Sequence, residues 1–237
     1  TPEMLSHVLL RFINSGYINL IGGCCGTVPS HIAEMVRIAK NKVPRKINVT
    51  KQSRLSNIDF LEINTIKKKF DYKSKEIPNK IKLDKKFLAL AGYYLSEGHV
   101  ILKITKTHLG FSFALNEQNL VDEVKLLSKE IFGIETKEKK NILHNTIQVT
   151  INNVFIARLF NELFGKGAEN KTMPESFLYL PVEKQQALIR TLWLGDGFFS
   201  HKKHRAGYST ISFKLIQQLK TLLLRQNIIP SVYSEKE

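Results

Sequence analysis

Two nine-residue stretches, set 99 residues apart, constrain this chain more than anything else in it. The first is Leu90-Ala91-Gly92-Tyr93-Tyr94-Leu95-Ser96-Glu97-Gly98. The second is Ile189-Arg190-Thr191-Leu192-Trp193-Leu194-Gly195-Asp196-Gly197. With Glu97 aligned on Asp196, apolar residues coincide at 90/189, 93/192, 94/193 and 95/194, and glycine meets glycine at 98/197. Each reads as an apolar helix that ends in one carboxylate and stops at glycine. One such acid is ordinarily just a helix end. Two at a fixed offset imply an internally duplicated fold that carries an acid at the same place in each half.

The periodicity around the motifs supports the duplication. From Lys85 a helix runs to Glu97, and strands are expected at His99–Ile104 and Gly110–Leu115. Leu120, Val124, Leu127 and Ile131 then recur at helical spacing up to Gly133. Strands follow at Ile134–Glu138 and Thr146–Ile151, and a helix from Val154 to Phe164 ends at Gly165. This first half, residues 85–165, therefore reads αββαββα. Residues 166–237 begin with an irregular connection whose glycines lack the Gly-Lys-Ser/Thr ending of a phosphate-cradling loop. The pattern then restarts, with a helix from Val182 to Asp196, strands at Phe198–His201 and Gly207–Ile211, and a helix holding Leu215, Leu219, Leu222 and Leu223. Ile228–Ser234 would open the next strand pair, so the second half is expected to be truncated. The fold class is α+β.

Charge points to the partner. Lys+Arg number 36 against 21 Asp+Glu, a net charge of +15 in 237 residues. Such a balance suits a polyanion, nucleic acid first; the plain alternative is a soluble lysine-rich protein from an AT-rich genome. Lysines crowd residues 65–84, which read as a solvated basic linker or arm. No apolar run approaches the roughly 18–20 residues of a membrane helix, no signal peptide is recognisable, and a cytoplasmic setting is expected.

Residues 1–64 are different in kind. Met4, Leu5, Val8, Leu9 and Phe12 mark a helix, Ile18–Ile21 a buried strand, and Pro29-Ser30 opens a second helix. Between them stands Gly22-Gly23-Cys24-Cys25-Gly26-Thr27. Paired thiols past a strand end suit Zn²⁺, and two buried apolar cysteines are the plain alternative.

Two resemblances attach to these residues. The string from Ile18 through Cys24-Cys25 to Ile32, continued by Pro44-Arg45-Lys46 and Arg54-Leu55-Ser56, resembles the end of the homocysteine-binding α/β barrel of cobalamin-dependent methionine synthase. That resemblance implies Cys24 and Cys25 as two of three thiolates on Zn²⁺. The third cysteine and the earlier barrel strands are not in this chain, so this part alone is not expected to methylate. Residues 85–237 resemble the LAGLIDADG homing endonucleases of the kind embedded in inteins. The similarity rests on the two motifs, on Glu169-Asn170-Lys171-Thr172-Met173-Pro174, and on Tyr208-Ser209-Thr210-Ile211-Ser212.

The second resemblance implies a monomer with two pseudo-symmetric halves that cuts double-stranded DNA. Glu97 and Asp196 would be its Mg²⁺-binding catalytic pair. Lys171 would polarise the water network or stabilise the phosphorane, against the reading of a surface lysine. Lys103, Lys106, Lys139, Lys202, Lys203 and Arg205 would contact DNA. Two departures stand out: Glu97 replaces the usual Asp, and Thr191 stands where the first motif has Gly92, which implies looser helix packing. The rival functions are a zinc-dependent methyltransferase fragment and a non-catalytic nucleic-acid-binding module.

Overall fold

Thr1 opens the first element by accepting a hydrogen bond from the Met4 amide at 3.4 Å, a side-chain cap for α1 (Pro2–Asn14). After α1 the chain turns at Gly16, whose φ of +67° is the left-handed conformation that glycine adopts freely. The second helix, α2, spans Pro29–Ala39. The computed structural model describes residues 1–43, 59–62, 74–104, 106–202 and 204–233, and the chain divides into two units, Thr1–Ser53 and Arg54–Glu237.

The strand expected at Ile18–Ile21 does not form. Leu20 is 90% exposed, and no other strand lies among the described residues of this unit to pair with it. A strand's backbone groups need a partner, and without one the segment stays irregular. Pro44-Arg45-Lys46 and Arg54-Leu55-Ser56 lie outside the described residues.

The second unit starts with β1 (Phe60–Glu62), antiparallel to β2 (Lys80–Lys82). This corrects the expectation of a solvated arm over its described part. Ile77, Ile81 and Leu83 are buried in the core, and the lysines beside them point their charges out to solvent.

Asp84 then caps α3 (Lys85–Glu97), accepting from the amides of Lys86 at 3.0 Å and Phe87 at 3.1 Å. Every residue of α3 from 87 to 95 is buried. A helix apolar on all sides belongs at the centre of a domain. It is followed by β3 (Gly98–Leu102), β4 (Thr107–Ala114), α4 (Gln118–Phe132), β5 (Lys137–Asn141), β6 (Thr146–Ile151) and α5 (Val154–Phe164). This is the expected αββαββα order. The four strands form one antiparallel sheet in the order β3-β4-β6-β5. Alternation gives the sheet two unlike faces. Val100, Leu109, Phe111, Phe113, Ile147, Val149 and Ile151 are buried in the core. The opposite face carries, in register, His99–Gly110–Thr150–Lys137 and Ser112–Gln148–Lys139.

One strand sits later than expected: β5 begins at Lys137 because Ile134 is buried in the core before the edge strand starts. The connection to the second half holds two short helical turns, Ala168–Asn170 and Glu175–Tyr179. The second half supplies α6 (Val182–Asp196), the hairpin β7 (Gly197–Ser200) with β8 (Arg205–Tyr208), and α7 (Phe213–Arg225). Residues 228–233 form no strand. Gly98 and Gly197 are not left-handed stops either: with φ of −84° and −79° they start strands.

The helices α3 and α6 pack side by side, and equivalent positions meet. A Cβ on Gly92 would strike the Thr191 side chain and the Leu188 carbonyl, and one on Gly195 would strike Ser96. Thr191 therefore does not loosen the packing. It is fully buried and donates from Oγ1 to the Ala89 carbonyl at 2.7 Å, a hydrogen bond across the helix pair. Further out, Glu123 of α4 accepts from Tyr93 of α3 at 2.8 Å and is gripped at both oxygens by Arg190 of α6, at 2.8 and 3.1 Å. Arg190 is more than half exposed, so its charge is screened, whereas removing Glu123 strands a partly buried Tyr93 hydroxyl. In urea titrations Glu123→Ala is expected to cost about 2 kcal/mol and Arg190→Ala under about 1 kcal/mol. Equal losses would count against this account.

Candidate active site

The C-terminal ends of α3 and α6 bring together residues 99 apart in sequence. Glu97 is the last residue of α3 and Asp196 the last of α6. Glu97 crosses towards the neighbouring helix: a Cβ at Gly195 would lie 2.9 Å from its Oε1. Both acids sit at helix C-termini, where unpaired carbonyls already disfavour negative charge and favour a cation.

Lys171 enters from the connection between the halves and is 8% exposed. Its Nζ donates to the Ser96 carbonyl at 2.8 Å, capping the last turn of α3 beside Glu97, and lies 5.7 Å from the centre of the Tyr94 ring. The surface-lysine reading does not hold.

The three groups perturb one another. Burial pushes the Glu97 carboxyl up to about 7, and the charges of Asp196 and Glu117 add to this while Lys171 opposes it. Burial also raises Asp196, against Lys171 and a hydrogen bond from Tyr208. Burial pushes the Lys171 ammonium down to about 8, although Asp196 and Glu97 both favour its charge. Shifts of this kind in one cluster are characteristic of functional sites.

Two neighbours were not legible beforehand as part of the site. Tyr208 donates from its hydroxyl to Asp196 Oδ2 at 3.4 Å, and burial followed by the charge of Asp196 raises its pKa well above the usual phenol range. It faces Gly197 across the β7–β8 pair, where the first half has Phe111 facing Gly98. Comparing those two positions would have found it. His99 lies over Gly110, where any Cβ would meet its ring. Burial and then the charge of Lys171 lower its pKa.

The candidate DNA contacts fall at exposed places. Lys139 stands on the outer sheet face opposite Gln148. Lys103 and Lys106 close the β3–β4 turn through mutual backbone bonds of 3.1 and 3.2 Å. Lys202 lies in the β7–β8 turn and Arg205 starts β8. Lys203 lies outside the described residues.

Cys24 and Cys25 are both exposed and unbridged, so they are not buried apolar thiols. They occupy a tight turn in which the Thr27 amide donates to the Cys24 carbonyl and the Cys24 amide to Thr27 Oγ1, each at 2.9 Å. Among the described residues no three His, Cys, Asp or Glu side chains are grouped to hold a metal. Two thiols without a third ligand do not fit a zinc site of the expected kind. Among the same residues no helix is long and apolar enough to cross a membrane.

Comparison with known proteins gives this arrangement a family. The homocysteine S-methyltransferase model matches residues 1–39. An uncharacterized protein of Methanocaldococcus jannaschii is 29% identical over 185 residues, covering 75% of this chain and 22% of that protein. A DNA polymerase of Thermococcus hydrothermalis is 31% identical over 147 residues, 60% of this chain and 8% of the polymerase. The chain thus spans a fifth or less of the length of several curated relatives it matches. A solved mesophilic variant of the homing endonuclease I-DmoI aligns at 12% identity and a TM-score of 0.48, over 65% of this chain and 83% of that one. The LAGLIDADG-like domain model matches residues 84–165 and 183–237, more than half of the chain and both carboxylate motifs, and the chain belongs to that family.

Proposed function

We propose that this chain carries a site-specific DNA endonuclease of the homing type, which hydrolyses phosphodiester bonds in both strands of duplex DNA with a divalent metal ion. The observation that carries the reading is the meeting of Glu97, Asp196 and a buried Lys171 at the adjoining ends of α3 and α6. Hard oxygen donors, half-buried and raised in pKa, suit a cation such as Mg²⁺, with phosphate and water oxygens completing its shell. Bound there, the ion would acidify a water and offset charge on the attacked phosphate.

The protein's own groups do the rest. With a pKa near 8, Lys171 stays mostly protonated at neutral pH. An ammonium has three N–H donors, and the bond to Ser96 engages one. Another reaches a phosphate oxygen and stabilises the charge that gathers on it as the attacking oxygen bonds to phosphorus and the leaving oxygen departs. Tyr208 orients Asp196 by its hydroxyl. The outer face of the first-half sheet and the basic turns at Lys103, Lys106, Lys202 and Arg205 hold the duplex, phosphates by charge and bases by the polar side chains. Each half brings one carboxylate, so a monomer suffices for both strands.

The setting supports a mobile element. The LAGLIDADG-like part follows a methyltransferase-like segment here and corresponds to a small fraction of DNA polymerases elsewhere. One domain joined to unrelated sequences is what an inserting element produces. The test is to incubate the chain with duplex DNA bearing the uninterrupted methyltransferase-gene sequence. Cleavage of both strands is expected with Mg²⁺, lost on chelation and regained when Mg²⁺ is restored. Binding without any cutting would overturn the proposal and leave a nucleic-acid-binding module.

A further inference from the structure

Lys171 acts from a stretch that no regular element supports. Its backbone is extended, with φ −60° and ψ 132°, just after the short turn Ala168–Asn170. An ammonium on a long side chain is placed only as well as the backbone beneath it. The fastening comes from α7, far along the chain. Gln218 pairs with Met173 through both halves of its amide: Oε1 accepts from the Met173 amide at 2.9 Å, and Nε2 donates to the Met173 carbonyl at 2.7 Å. The same Oε1 accepts from Thr172 Oγ1 at 3.0 Å. Ser212, which caps α7 through the Leu215 amide, donates from Oγ to the Lys171 carbonyl at 2.6 Å. On the other side the Thr172 amide donates to the Phe164 carbonyl at the end of α5, at 3.0 Å.

Gln218 occupies a core position of α7, 6% exposed and among Leu215, Leu219 and Leu222. A polar side chain there costs stability unless its hydrogen bonds are made, and leucine or methionine would fill the space without that cost. Gln218 forms a strand-like pair with an edge that has no strand to meet. We propose that Gln218, with Ser212, is a positioning residue for the catalytic lysine: α7 of the second half sets where the Lys171 ammonium stands at the end of α3. The inference rests on the reading that Lys171 acts on the scissile phosphate.

The test uses the full chain and the near-isosteric Gln218→Met. Single-turnover cleavage, measured below the variant's own melting transition, is expected to fall about 10- to 100-fold while DNA affinity stays close to wild type; the transition itself drops, because the Met173 amide and carbonyl lose their partner. In a Lys171→Met background the same change should cost nothing further, since there is no ammonium left to misplace. A second readout does not depend on cleavage: acylation of Lys171 by an amine-reactive ester, mapped by mass spectrometry, should be about tenfold faster in Gln218→Met as its hold loosens. Equal losses with and without Lys171, or unchanged acylation, would overturn the proposal. If the wild type does not cut DNA but acylation still rises, the endonuclease reading fails and the positioning role stands. Should Gln218→Met not fold, Ser212→Ala removes the bond to the Lys171 carbonyl together with the α7 cap on the Leu215 amide, and is held to the same outcomes.

Discussion

Glu97→Gln and Asp196→Asn are each expected to lower DNA cleavage by about 10³-fold or more, with salt-sensitive DNA binding retained. Each substitution keeps size and polarity at a helix end and removes only the charge that would hold the metal ion. Cutting at wild-type rate by both variants would remove these carboxylates from the chemistry. Glu97→Gln has a second expected effect, visible without metal or DNA. Burial and the charge of Asp196 raise the Glu97 carboxyl from an ordinary value of 4.5 to about 7. Between those two values the folded state binds more protons than the unfolded state, so this group makes stability fall as pH rises. The penalty is absent below about 4.5 and complete above about 7, where, discounted for the group's partial exposure to solvent, it amounts to roughly 2–3 kcal/mol. Glutamine carries no such penalty. The variant should match wild type in thermal melts near pH 4 and exceed it at pH 8; a difference that stays constant across that range would contradict the assigned environment.

Gly92→Ala is expected to destabilise the fold by about 3 kcal/mol or more. On an ordinary helix the change would help, because alanine restricts the unfolded chain and favours helix by about 1 kcal/mol. Here sterics reverse the sign. The new methyl would meet Thr191 Oγ1 and the Leu188 carbonyl and stand 2.9 Å from the Leu192 amide nitrogen. Removing the threonine side chain as well would not restore stability. The backbone of α6 still obstructs the methyl, and the Thr191 bond to the Ala89 carbonyl would be lost with it. Urea denaturation of the single and double variants decides this, and a stabilised Gly92→Ala would mean that α3 and α6 do not pack as described.

Some of this was readable in the sequence because local pattern and global fold agree. The two carboxylate motifs, the αββαββα order and the helix periods at Leu120 and Leu215 all follow from side-chain spacing, which the core enforces. The Ile18–Ile21 strand failed because apolar character says nothing about whether a pairing partner exists. The register of β5 was hidden for another reason: Lys-Glu-Lys-Lys-Asn has no apolar alternation, and its pairing with β6 supplies what the sequence lacks. The acids were found from their repetition. Tyr208 stands where the first half has Phe111, so its hydroxyl is not part of the repeat, and the importance of Tyr208 and Gln218 depends on contacts between residues 12 and 45 positions apart. Thr191 looked like a defect in one motif when taken alone; only its opposite number explains it.

The meeting of like positions at the α3–α6 seam has one more consequence. Residue 92 faces 191 and residue 96 faces 195, so each contact joins a position to its own duplicate. At both contacts one half contributes glycine and the other a hydroxyl side chain, and the glycines lie on opposite halves. The seam is therefore keyed. Two copies of the first half would meet glycine to glycine at residue 92 and leave a gap. Two copies of the second would press threonine against threonine. A homodimer cut from either half of this protein would first need residue 92 or 191 rewritten.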